Sequence, residues 1–207
     1  MGAGRFIGMP SSLVGAVACA LLLLLGGAAP AQTSKRSAAE LMDAVMWNRE
    51  PIGGPFQLTD QAGQTVTEKN LQGKPTLIFF GFTHCPDVCP TELFQISEIL
   101  RAMGKDADRI NAYFVSVDPE RDTKAAMKDY LASFDPHLKG LTGDPDAMAK
   151  VISEFRVYAK KVPLKDGDYT MDHTALIYLM DRDGRFVSPF NLKRKPEEAA
   201  ADLKRYL

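Results

Sequence analysis

Cysteine is scarce in this chain. There are three in 207 residues, and one of them, Cys19, lies in an N-terminal apolar segment. That leaves Cys85 and Cys89 as the only thiols of the remaining sequence. Histidine is equally sparse, with three residues at 84, 137 and 173. An excess of charge is missing too: 25 Lys and Arg stand against 26 Asp and Glu, a net charge of -1. Nothing in that balance points to nucleic acid as a partner. No internal repeat is visible, nor any low-complexity tract beyond the leader. The length and the 45% hydrophobic content fit one globular domain with extra segments.

The first extra segment is the leader, residues 1–31. Arg5 is its only early positive charge, Leu13 to Leu25 is nearly unbroken apolar sequence, and Ala29-Pro30-Ala31 follows. This is the layout of a secretory signal with an A-x-A cleavage site after Ala31. Left uncut, Leu13 to Ala31 is just long enough to be a membrane anchor. A lipoprotein site at Cys19 fits poorly, because the leucine run follows the cysteine. Each reading exports the domain to a compartment where thiols can be oxidised. Residues 32–50 are a polar linker or juxtamembrane segment, with Leu41, Met42, Val45, Met46 and Trp47 as a short apolar face.

From residue 51 to 207 strand and helix patterns alternate. Phe56 to Thr59 and Thr65 to Thr67 form a hairpin around Asp60-Gln61-Ala62-Gly63. Thr76 to Phe82 is a buried strand, Ile110 to Val117 a second and Thr174 to Met180 a third. Leu138 to Thr142 is short and suits an edge strand. Arg156 to Val162 alternates as a strand does, and Lys165 to Met171 is a polar loop. A helix follows the cysteines as far as Gly104, with Phe94, Ile96, Ile99, Leu100 and Met103 as its apolar positions; further helices run from Asp122 or Thr123 to about Phe134, from Asp144 to Phe155, and from Pro196 to Tyr206. Asp181-Arg182-Asp183-Gly184 is a hairpin turn; its D-x-D-G lacks the rest of a calcium loop. These elements predict an α/β fold with a central mixed sheet, flanked by helices and extended by the N-terminal hairpin.

Lys74 to Leu93, KPTLIFFGFTHCPDVCPTEL, is the stretch around which the rest is organised. A buried strand empties into a turn that holds Cys85-Pro86 and Cys89-Pro90. Pro90 suits a first helical position. Cysteines four apart lie on one side of a helical turn, so both sulfurs can address one object. At the positive end of a helix dipole the thiolate is stabilised, which predicts reactive or metal-binding sulfurs. The bland alternative is a structural disulfide or two buried thiols. In an open α/β sheet this turn falls at the carboxyl edge, where such folds place their sites.

His173 stands at the entry to the third buried strand. If that strand lies beside the cysteine strand and runs the other way, the imidazole arrives at the thiols. His84 is adjacent to Cys85 and points away, and His137 reads as a solvated loop residue. Two thiolates and one imidazole are a soft ligand set that suits Cu(I), holds Cu(II), and accepts zinc with a water.

GFTHCPDVCPTEL, SVDPERDT, GLTG and DYTMDHTALIYLMDRDG occur in this order, from about Pro51 to the C-terminus, and resemble the Sco/SenC proteins. The resemblance implies a thioredoxin-like fold and one copper ion held by Cys85, Cys89 and His173. It also implies a role in assembling cytochrome c oxidase. The expected partner is the dinuclear copper centre of oxidase subunit II, or another copper chaperone. The expected place is the bacterial periplasm, anchored or free, or the mitochondrial intermembrane space in a eukaryote. A rival function is thiol-disulfide exchange, with Cys85 and Cys89 as the redox pair that reduces the client's cysteines. Val88-Cys89-Pro90-Thr91-Glu92 also looks like a peroxiredoxin string. Pro86 and Phe82 stand where that family has its hydroxyl residue and its proline, which argues against a peroxidase.

Overall fold

Six consecutive buried residues, Thr76–Gly81, make the strand on which the domain is built. The computed structural model describes residues 51–165 and 167–207. The leader at 1–31 and the linker at 32–50 therefore lie outside the described residues. In chain order the strands are β1 (Gln57–Asp60), β2 (Thr65–Thr67), β3 (Thr76–Gly81), β4 (Asn111–Ser116), β5 (Leu138–Thr142), β6 (Ala159–Pro163), β7 (Tyr169–His173), β8 (Ile177–Met180) and β9 (Phe186–Pro189). The helices are α1 (Val88–Met103), α2 (Lys124–Leu131), α3 (Pro145–Glu154) and α4 (Pro196–Lys204).

Seven strands form one mixed sheet in the order β2-β1-β5-β4-β3-β8-β9. β3 and β4 are parallel, as are β4 and β5, while β8 runs antiparallel to β3 with Thr76 opposite Met180. A strand covered on both faces needs a nearly continuous apolar run, and Leu77, Ile78, Phe79 and Phe80 supply it. Alternation sends Phe79 and Phe80 to opposite faces. On one face Phe79 meets Phe114 with ring centroids 5.8 Å apart, and Phe114 meets Tyr130 of α2 at 5.8 Å. On the other, Phe80 packs on Phe155 at the end of α3 (5.5 Å) and on Tyr178 (5.6 Å). Helices thus cover both faces, with α1 packed along α4.

Several local expectations need correction. β5 is not an edge strand, because the N-terminal hairpin pairs with it, Thr59 opposite Thr142. That pairing joins segments distant in sequence and leaves no local signal. Tyr169–His173, which overlaps the expected polar loop, is strand β7 and pairs with β6 in a separate two-stranded sheet. Its residues are polar and only partly buried, so no apolar period marks it. The third buried strand accordingly starts at Ile177 rather than Thr174.

Helix ends shift as well. α1 begins at Val88 with Asp87 as N-cap, so Cys89 is already helical and Pro90 is the third helical residue. Proline is tolerated there because the first four helical amides have no intrahelical acceptor. Gly104 ends the helix at φ 60, a left-handed conformation that glycine adopts without strain. α2 is capped by Thr123, whose hydroxyl accepts the Ala126 amide, and it stops at Leu131. Asp144 caps α3 by accepting the Ala147 amide, with Pro145 in the first turn as expected. Phe94, counted among the apolar positions of α1, is 56% exposed.

Candidate metal centre

The turn after β3 carries Cys85, and the first turn of α1 carries Cys89. The Cys85 amide donates to the Phe82 carbonyl at 3.3 Å, which closes the turn. The Cys89 amide donates to Cys85 Sγ at 3.4 Å and fixes the direction of that sulfur. Because β8 is antiparallel to β3, the chain entering β8 passes the thiol turn, and His173 at the end of β7 arrives there. Its Nε2 lies 3.7 Å from Cys89 Sγ. Nδ1 lies 3.1 Å from the Thr174 carbonyl oxygen, which can only accept, so Nδ1 carries the proton. Nε2 then presents its lone pair to the sulfurs. Phe82, edge-on at 5.7 Å, and Phe79 at 6.4 Å wall the ring.

Sγ of Cys85, Sγ of Cys89 and a ring nitrogen of His173 all lie within 4.8 Å of one another. Both cysteines are free thiols. Metal bonds of about 2.3 Å to sulfur and about 2.0 Å to nitrogen, meeting near 120°, set these atoms about 3.7 Å apart. The observed separation between Cys89 and His173 agrees with that. The donor set fits a soft or borderline cation, and the second ring nitrogen is held by a carbonyl, as in many metal-binding histidines.

One electrostatic expectation is reversed. A helix start by itself favours the thiolate, yet burial pushes the Cys89 thiol well up from its usual range, aided by the neighbouring Cys85. Cys89 is fully buried while Cys85 is 9% exposed, and desolvation of a charged sulfur outweighs a partial helix dipole. A cation that takes the place of the proton removes that penalty. The Tyr130 hydroxyl is buried and has no hydrogen-bond partner among the described residues. Burial foremost pushes its titration up, so it remains a phenol.

The other histidines stay away from the group. His84 is exposed and its Nδ1 meets the Thr83 hydroxyl at 3.1 Å. His137 is not simply solvated. Its Nδ1 lies 2.7 Å from Asp135 and its Nε2 lies 3.1 Å from Asp108. The Asp135 contact foremost raises its pKa above the usual imidazole value, against partial desolvation.

Residues that local patterns did not single out complete the site. Gly81 ends β3 beneath Cys89. A Cβ there would stand 2.6 Å from the Phe114 ring and 2.8 Å from Cys89 Sγ. Gly81→Ala is therefore expected to displace the sulfur and to cost about 1–3 kcal/mol through overpacking. Metal titration and urea denaturation of the same variant check both effects. Asp122 is not the helix cap that its position suggests; it turns inward, fully buried, and accepts from the Thr83 amide (3.1 Å), the Thr83 hydroxyl (2.7 Å) and the Ser116 hydroxyl (2.6 Å). Burial raises its pKa against those bonds.

A mixed sheet with helices on both faces, and a two-thiol, one-imidazole group at the end of its central strand, defines a thioredoxin-like domain with a candidate metal centre. The SCO1/SenC family model matches residues 45–207, and the chain belongs to that family. It is 41% identical over 155 residues to the human mitochondrial SCO1 homolog, covering 73% of this chain and 52% of that protein. It is 40% identical over 149 residues to a SCO2-like protein of Rickettsia conorii, covering 71% of this chain and 73% of the other. The chain thus spans about half the length of the human relative. Among solved structures it is similar to copper-bound ScoI of Bradyrhizobium japonicum. The TM-score is 0.74 at 82% identity, covering 75% of this chain and 99% of that one.

Proposed function

We propose that this domain is a copper-binding assembly factor that works on cytochrome c oxidase. Cys85, Cys89 and His173 hold one copper ion. The observation that carries this reading is the convergence of two free thiols and a ring nitrogen of His173 within 4.8 Å. It is supported by the copper-bound relative, whose chain is covered almost completely. Copper is cargo here. Three protein ligands leave room for an incoming donor from a client, so the ion can leave by ligand exchange rather than through a free aqueous state. The client is the dinuclear copper centre of oxidase subunit II, and another copper chaperone is the donor or the next acceptor. The domain works outside the cytoplasm, in the periplasm or its mitochondrial counterpart, and the N-terminal segment either directs export or holds it to the membrane. Relatives from mitochondria and from a bacterium support that placement.

Purified and reduced, the protein is expected to bind one copper per chain and, as Cu(II), to show sulfur-to-copper charge-transfer absorption. Cys89→Ser should lose that band. A wild-type protein that takes up no copper at one equivalent would overturn the reading.

A second activity is favoured by the free thiol pair itself. Cys85 and Cys89 can exchange with a disulfide and keep client cysteines reduced. Cys85, the more exposed sulfur, is then the attacking group, and Cys89 closes the internal disulfide. The two roles are compatible, because copper binding also needs the reduced pair.

A further inference from the structure

The ligand group is split between two sheets. The thiols belong to the end of β3 and the start of α1, while His173 belongs to β7 in the two-stranded β6–β7 sheet. No strand pairing joins that small sheet to the seven-stranded one among the described residues. The short connection from His173 to β8 brings the imidazole near the thiols, and side chains that bridge the two sheets add restraint on the distance between sulfur and imidazole.

The turn after β4, Asp118-Pro119-Glu120-Arg121-Asp122, reaches both halves. Toward the imidazole, the Arg121 guanidinium lies over the Tyr169 ring, 3.7 Å from its centroid, and Nη1 donates to the Tyr169 carbonyl at 2.9 Å. Nε of the same arginine donates to Asp118 at 2.5 Å, and the Tyr169 hydroxyl donates to the other Asp118 oxygen at 2.8 Å. Arginine, carboxylate and tyrosine thus close a ring of contacts around the first residue of β7. Lys161 of β6 covers the Tyr169 ring at 3.8 Å and pairs with Glu120 at 2.7 Å. Toward the thiols, Asp122 takes both the amide and the hydroxyl of Thr83, two residues before Cys85. Asp118 and Asp122 are 2% and 0% exposed, so these bonds are made away from competing water.

We propose that this turn is the positioning element of the metal centre, with Arg121 acting through Tyr169 on His173 and Asp122 acting through Thr83 on Cys85. The inference rests on the ligand assignment above. Arg121 touches no ligand atom; it fixes the strand that carries one. Its planar fork and stacking surface are not replaced by a lysine, which keeps the charge alone.

The test uses the reduced protein and Cu(II) alone. Arg121→Gln is expected to lower Cu(II) affinity about tenfold, at the low end of the range for residues that orient ligands. Arg121→Lys should restore little of it. In a His173→Ala background Arg121→Gln should add no further loss, because its effect runs through the imidazole. In the copper-free protein, amide hydrogen exchange at residues 169–173 should quicken while that of β3 and β4 is unchanged. Tyr169→Phe, which removes only the bond to Asp118, should give a smaller loss of the same sign and decides the matter if Arg121→Gln does not fold. Unchanged affinity and exchange in the folded variants overturns the proposal, as does an equal loss in the His173→Ala background. Failure of the wild-type protein to bind copper is a different result and removes the ligand assignment itself.

Discussion

A His173→Ala chain is expected to lose most Cu(II) binding, keep part of its Cu(I) binding, and still reduce a disulfide. Two thiolates can hold Cu(I) as a linear pair, whereas Cu(II) prefers nitrogen and a higher coordination number. Disulfide exchange needs only the two sulfurs. Nε2 stands 3.7 Å from Cys89, so removing the ring deletes one donor and leaves the thiol turn, which is closed by the Cys85 amide and anchored by Asp122. Cys85→Ser or Cys89→Ser should instead impair both activities. In a strain that lacks the protein, His173→Ala should fail to restore oxidase activity at low copper although its thiols still react. Added copper serves as the control. Full rescue at low copper would remove the carrier reading and promote the reductase.

Phe80→Ala is expected to cost about 3–5 kcal/mol, a large share of the ~5–15 kcal/mol that holds a domain together. The side chain is fully buried, and its ring meets both Phe155 and Tyr178, which also meet each other at 6.1 Å. The two rings left around the vacated position border a cavity that the sheet backbone cannot close. Urea denaturation should show a lower midpoint with an unchanged slope. Phe94→Ala on α1 is the matching control. It removes the same ring from a position 56% exposed and should change stability by about 0.5 kcal/mol or less.

The contrast between Phe80 and Phe94 shows where local reading works. The run TLIFFG declares a strand buried on both faces, since no solvent-facing period interrupts it. Helical spacing in α1 correctly marked Ile96, Ile99, Leu100 and Met103 as buried, but it swept in Phe94 because composition alone does not say which stripe faces the sheet. β7 was missed for the opposite reason: its burial is partial and its residues polar, so its order comes from pairing with β6 and from Arg121.

Local residue patterns suffice for the alternation of strands and helices, the position of the thiol turn after the central strand, and the spacing that lets two sulfurs share one object. These follow from periods of two and 3.6 residues and from proline and glycine chemistry, all of which act over a few residues. Tertiary structure decided the rest. The antiparallel placement of β8 beside β3 brought His173 to Cys89 across 84 residues of chain. The pairing of the N-terminal hairpin with β5 turned an expected edge strand into an interior one. Burial raises the titration of the Cys89 thiol, and no short stretch of sequence contains that effect, because desolvation is a sum over everything packed around the sulfur.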